Sequence, residues 1–227
     1  MRRVIAVVEG QTERSFVDSV LAPWLGAREV GLTARLVGNP GHKGGGRAYD
    51  RPRKDIVMLL KQESETIITT MFDFYGMVPK SWPGRAKAAK VSHQLKAKTV
   101  EDAIADDIAT EFKKSSVRRR FIPYIQMHEF EALLFTRPEV VAEVTGMIEA
   151  AEELKAIRAS VKTPEEINDY NQTAPSRRIV KLCPGYQKTL HGILTAQRIG
   201  IESMRTECPH FNAWVTELEA LCGKARS

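Results

Sequence analysis

Cysteine is scarce in this sequence: Cys183, Cys208 and Cys222 are odd in number, far apart and without a C-x-x-C pair. That pattern excludes a disulfide framework and a structural zinc site, and makes a reducing cytoplasm the simplest home. Long apolar runs are missing too. The opening Met1-Arg2-Arg3-Val4-Ile5-Ala6-Val7-Val8 joins a basic flank to an apolar stretch, but Glu9 ends it too early for the h-region of a secretory signal. No other stretch is long enough to cross a bilayer, so a soluble protein with no membrane association is expected. Internal repeats and low-complexity tracts are also absent. The 227 residues suffice for one generous domain, or for a domain with a helical appendage, and either buries a core without staples.

What is present in excess is positive charge, with a formal net charge of +6 and a pI near 9.3. Lysine and arginine neutralise phosphates and release counterions, so a polyanion partner is expected, although many mildly basic proteins bind none. The placement is uneven: Lys80, Arg85, Lys87, Lys90, Lys96 and Lys98 fall close together, and Arg118 to Arg120 form a second knot.

The hydrophobic pattern points to an α/β protein. Val4 to Val8 forms a continuous apolar run, as in a strand covered on both faces, and Gly10-Gln11-Thr12 supplies a turn. Phe16, Val17, Val20, Leu21 and Trp24 then recur at helical spacing until Pro23 and Gly26 close the segment. Ala34 to Val37 predicts a second strand, Gly38 to Gly46 a glycine-rich loop, and Asp50 to Gln62 another helix. Thr66 to Phe72 is strand-like and runs into Asp73-Phe74-Tyr75-Gly76. Residues 77 to 98 predict a connection with little regular structure, and Thr99 to Lys113 a helix. Phe121 to Met127 predicts the last strand, ending at His128-Glu129-Phe130-Glu131. Beyond Pro138 strand signals vanish; helices are expected at Glu139 to Val144, Met147 to Ser160, Ser176 to Leu182, Gly185 to Ala196 and Pro209 to Gly223. This divides the chain into residues 1–140, an α/β unit, and 141–227, a helical subdomain packed on it.

Acids sit where the strands end. Glu9 follows the first strand, Glu13 lies four residues on in the next helix, Asp73 ends another strand, and Glu129 and Glu131 flank the end of a third. With parallel strands these five acids converge on one edge, where open α/β sheets place their chemistry. Clustered carboxylates repel and are costly to bury unpaired, so a cation is their natural partner, and all-oxygen ligation favours magnesium or manganese. A helix dipole alone explains Glu13 or Glu131 taken singly. Glu9 and Asp73 are different, because each directly follows an apolar run.

Val8-Glu9-Gly10-Gln11-Thr12-Glu13 resembles the V-E-G-x-x-E signature that opens Toprim domains, particularly those of OLD-family nucleases. Asp73-Phe74-Tyr75-Gly76 takes the place of the second Toprim motif, and Glu129-Phe130-Glu131 resembles the third acidic position. The three together, with His128-Glu129-Phe130-Glu131-Ala132-Leu133-Leu134-Phe135, resemble an uncharacterised bacterial Toprim-like family often encoded beside ATPases and suspected of roles in phage defence. The resemblance implies a Toprim-like, mostly parallel sheet with flanking helices and metal-assisted phosphodiester chemistry. It casts Glu9 and Glu13 as metal ligands, with Glu9 also a general acid/base, Asp73 as a ligand, and Glu129 and Glu131 as a second metal position. Many Toprim proteins carry D-x-D in the second motif, whereas Tyr75 stands at its third residue here, weakening one metal site.

Phosphodiester hydrolysis also asks for a cation at the reacting phosphoryl group. Lys188 and the Arg177-Arg178 pair are the candidates, although ordinary solvated helix charges describe them equally. Ser176 at a helix start suits a phosphate or a plain N-cap. Lys43 and Arg47, in the glycine-rich loop, are candidate nucleic-acid contacts, with an undistinguished surface loop the plainer account. That loop matches neither nucleotide-binding fingerprint, and Ala132 breaks a zinc-protease H-E-x-x-H. The expected activity is a magnesium- or manganese-dependent nuclease on DNA or RNA, with an ATPase partner and self-association as further expectations. The rivals are a non-catalytic binding module on the same scaffold and another phosphoryl-transfer enzyme.

Overall fold

A computed structural model describes residues 1–38, 48–112, 117–167 and 173–222. Its centre is a sheet of parallel strands: β1 (Arg2–Val8), β2 (Val30–Leu36), β3 (Ile67–Asp73), β4 (Phe121–Ile122) and β5 (Ile125–Gln126). The order is β2-β1-β3-β4, with β5 also on β3, and each pairing is parallel. Val8 registers with Met71, and Asp73 with Gln126, so the C-terminal ends of β1, β3 and β5 meet at one edge.

β1 shows how the sheet is clad. Val4, Ala6 and Val8 face a core shared with the helices of the C-terminal region, while Ile5 and Val7 face a second core. That second core is supplied by α3 (Asp50–Gln62) and α5 (His93–Ala109). Side chains two residues apart share a face, so a fully apolar strand is buried on both sides. The first helical segment follows β1 as α1 (Gln11–Phe16), a π-helical turn (Val17–Leu21) and α2 (Ala22–Gly26). The π turn precedes Pro23, whose missing N–H removes one α-helical hydrogen bond, and the Ala22 N–H reaches back to the Val17 carbonyl instead.

The rest is helical: α4 (Arg85–Ala88) lies between β3 and α5, and α6 (Pro138–Thr145), α7 (Ala151–Ala159), α8 (Pro175–Leu182), α9 (Ile193–Ile199), α10 (Ile201–Glu207) and α11 (Pro209–Glu219) follow the sheet. The fold is therefore α/β, a mostly parallel sheet with flanking helices and a helical C-terminal region. Among the described residues, no helix is long and apolar enough to cross a membrane.

Three local expectations are corrected. The connection at 77–98 contains α4 and the start of α5, whose first turns bury only Ala97 and so carry little apolar period. The strand expected at Phe121 to Met127 is broken at Pro123-Tyr124. There the Thr70 hydroxyl replaces the ladder, accepting from the Tyr124 N–H and donating to the Tyr124 carbonyl, both at 2.8 Å. The helix α10 follows Gly200, whose φ of 78° separates it from α9.

Candidate functional site

The three acidic motifs are physically joined at the sheet edge. The Tyr75 N–H donates to the His128 carbonyl at 3.0 Å, tying the turn after β3 to the segment after β5. Gly76 admits the Glu9 side chain: a Cβ there would lie 3.3 Å from Glu9 Oε1. Gly10 has a matching reason, since a Cβ would meet Glu13 Oε2 at 2.8 Å. The Glu13 carboxylate folds back over Gly10, the N-cap of α1, and takes hydrogen bonds from the amides of Glu13 and Gly10. The helix-terminus account of Glu13 thus has a structural basis.

Glu9, Asp73, Glu129, Ser176, Arg177 and Lys188 line one cleft of ≈ 840 Å³, with Tyr75 to Pro79 and Val180 on its walls. Asp73 is the least comfortable member. Its Oδ1 is buried without a hydrogen-bond partner. Burial, and then the charges of Glu13, Glu9, Glu131 and Glu129, hold its carboxyl well above the usual range. Burial also raises Glu13, opposed by the amide of Glu13 and reinforced by Glu9.

Glu129 and Glu131 are more committed. Glu129 Oε2 accepts from the Ser176 N–H at 3.0 Å, so the first turn of α8 is held by a carboxylate. The Ser176 reading as an anion-holding helix start is met by a side chain of the protein itself. Glu131, only 1 % exposed, pairs with Lys188 at 3.0 Å. Burial pushes its carboxyl up to about 7, with Lys188 pulling the other way and Glu129 adding to the rise. For Lys188 burial works against the charge, but Glu131 and Glu129 outweigh it and the ammonium is held above its ordinary range.

The remaining sequence candidates separate. Arg177 lines the cleft, whereas Arg178 turns its Nε to the Thr173 carbonyl at 2.8 Å and is absent from the lining. Lys43 and Arg47 lie outside the described residues. Sequence reasoning missed Tyr186, packed against Gly192, where a Cβ would meet its hydroxyl at 2.7 Å. Burial and then Glu131 and Glu129 push its phenol upward, which places it behind the acids. Its only sequence signal was its neighbourhood to Lys188.

Residues 8–219 match the family model described as a domain of unknown function, DUF4276. The chain belongs to that family. None of the curated proteins compared matches it. Two solved structures of the C-terminal region of an OLD protein from Xanthomonas campestris pv. campestris are similar at 15 % and 14 % identity. Each comparison covers 96 % of this chain, and 97 % and 98 % of the other, with TM-scores of 0.39 and 0.34. Likenesses this distant carry no argument about the activity of a DUF4276 chain.

As a cation site the cluster is suited in donor chemistry: oxygen only, mutually repelling, with two buried carboxylate oxygens lacking a hydrogen bond, Asp73 Oδ1 and the Glu131 Oε1 that is ion-paired with Lys188. Among the described residues, no group of three acids, histidines or cysteines is already arranged around one ion. Glu13 and Glu129 spend oxygens on backbone amides and Glu131 on Lys188; Glu9, Asp73 and Glu129 line the cleft.

Proposed function

We propose that this protein is a Toprim-like, magnesium- or manganese-dependent nuclease that hydrolyses phosphodiester bonds in DNA or RNA. The observation that carries this reading is Asp73: a half-buried carboxylate with one buried oxygen that has no hydrogen-bond partner, near four further acids, in a cleft also lined by Lys188 and Arg177. A buried anion among anions is costly unless a cation joins it.

In this reading Asp73 and Glu9 would hold the divalent ion, with Glu13 and Glu129 adding negative charge around Asp73 and Glu131 serving as counter-ion to Lys188. A divalent ion held there would supply Lewis-acid stabilisation and activate a water. Glu9, at the cleft surface, takes the proton of the attacking water. Lys188, held by Glu131, donates hydrogen bonds to the phosphoryl oxygens as charge develops there, and Arg177 orients the substrate phosphate. An ATPase partner, a role in phage defence and self-association rest on the motif resemblance alone; co-purification and solution mass measurements test the first and last.

The deciding experiment incubates the purified protein with plasmid, single-stranded DNA and RNA, with and without Mg²⁺ or Mn²⁺, beside Glu9→Ala and Asp73→Ala. Metal-dependent cleavage is expected, lost in both variants; cleavage surviving both substitutions rejects the site. A second reading, a non-catalytic nucleic-acid or protein-binding module, draws on Tyr75 in place of an acid and on the absence of a ready three-ligand group among the described residues. Binding that persists without cleavage would favour it.

A further inference from the structure

The walls of the cleft carry information about the substrate that the acids do not. The lining that includes Arg177 also includes the turn bearing Tyr75, then Val78 and Pro79, and Val180 from α8. Val78 is 43 % and Val180 45 % exposed, so the lining combines solvent-facing apolar rim residues with the acids Glu9, Asp73 and Glu129. A duplex presents phosphates and sugars to a concave surface, and its bases stay stacked inside. An apolar rim gains nothing from such a partner. It suits the face of an unpaired base, whose phosphate can then reach the floor with it.

Tyr75 is distinct among the described tyrosines. Tyr124 stacks with Trp214, and Tyr49 and Tyr186 make tilted ring contacts with Trp82 and His191. The ring of Tyr75 makes no such ring contact among the described residues, yet the residue lines the cleft. Chain polarity supplies a third observation. Directly after the rim, Lys80, Lys87 and Lys90 are exposed. Their neighbours are engaged elsewhere: Arg85 lies over Phe74 at 3.8 Å, Lys98 pairs with Asp102, and Arg118 with Asp106. Lys80 directly follows the lining residue Pro79 in the chain, and the three exposed lysines supply cationic groups suited to a phosphate backbone.

We infer that the substrate is single-stranded nucleic acid, with one unpaired base stacked on Tyr75 against the Val78–Val180 rim and the adjoining backbone lying along Lys80, Lys87 and Lys90. This rests on the nuclease reading for its consequence but not for its test, which measures binding. A cut would then fall beside an unpaired nucleotide, and Tyr75 in place of a second-motif acid becomes a gain in base recognition.

The experiment titrates the full chain, with Ca²⁺ replacing Mg²⁺, against fluorescent oligodeoxythymidylate, oligouridylate and a DNA duplex of equal length, reading anisotropy. Single strands should bind at least about tenfold more tightly than duplex, Tyr75→Ala should lose about tenfold on single strands alone, and Tyr75→Phe should retain the affinity. The Lys80→Glu/Lys87→Glu double variant should shallow the salt dependence by about 0.7 in log–log slope for each phosphate it no longer neutralises. Equal or tighter duplex binding, indifference to Tyr75→Ala, or no binding of any nucleic acid overturns the inference; the last would turn the rim toward a protein partner. A parallel cleavage assay with Mg²⁺ separates the two proposals. Tight single-strand binding without cleavage sinks the nuclease reading and keeps this one, whereas binding and cutting of duplex in preference does the reverse.

Discussion

Glu165 and Asp73 both bury carboxylate oxygen, Glu165 as a buried side chain and Asp73 as a half-buried one, and the molecule treats them in opposite ways. Glu165, 4 % exposed, sits in the helical region with both oxygens occupied: they accept from the His210 and Phe211 N–H groups at 3.0 and 2.9 Å, closing the first turn of α11. Burial raises its carboxyl, and those two amides pull it back. Asp73 sits at the sheet edge with an unpaired oxygen and acids for neighbours. A buried acid whose lone pairs are satisfied explains itself as structure. One left unsatisfied among like charges calls for something the polypeptide does not supply, which is why the sheet edge and not the helical region carries the functional reading.

The contrast breaks most visibly by removing the satisfied acid. Glu165→Ala leaves two buried amides unpaired and should cost about 3 kcal/mol, roughly 6–12 °C in Tm by thermal denaturation, with cleft binding little changed. Asp73→Asn should move the other way. Removing a repelled charge should raise stability by ~1 kcal/mol while abolishing any metal-induced rise in Tm, as expected for a site where stability and function compete. An Asp73→Asn protein less stable than the parent would show that the charge is satisfied after all.

Protonation sharpens the comparison. Asp73, Glu13 and Glu131 titrate above their ordinary range when folded, so the native state holds protons that the unfolded chain has released. Their contribution to stability is present at low pH and is lost as pH rises from the ordinary carboxylate range through about 7, the value for Glu131. Tm measured across that window should fall less steeply in Glu131→Gln; an unchanged slope would remove Glu131 from the account. Lys188→Ala leaves Glu131 without its partner, but the lysine is 46 % exposed and water screens the pair, so a stability change of at most about 1 kcal/mol is expected. The smallest stability effect should come from Gly76→Ala, whose new Cβ displaces the Glu9 carboxylate by a few tenths of an ångström. There metal affinity, measured by calorimetry, should fall with Tm nearly unchanged.

Much of this was legible in the residues. The run Val4 to Val8 announced a central strand, and helix α3 was marked at both ends by its apolar period. Asp73 was visible as a charge closing a strand, because an acid directly after an apolar run sits where burial penalises it. What escaped were features lacking a local signal. The early turns of α5 are polar on most sides, and the break at Pro123-Tyr124 is repaired by a hydroxyl on a distant strand. Likewise, nothing in the sequence around Glu129 shows that its carboxylate is spent on the Ser176 amide, 47 positions away.

By itself, then, the sequence determined the element types at the sheet, the order of the acidic motifs and the chemistry of their side chains, since periodicity and side-chain type act over a few residues. Only the tertiary structure decided what each acid meets. Five carboxylates look alike in a line of letters; one is bonded to a helix start, one to a lysine and one to its own N-cap, while Asp73, which lines the cleft with Glu9, keeps a buried oxygen without a hydrogen bond. The cost of a buried charge depends on what surrounds it in space, and those surroundings come from residues far apart in the chain.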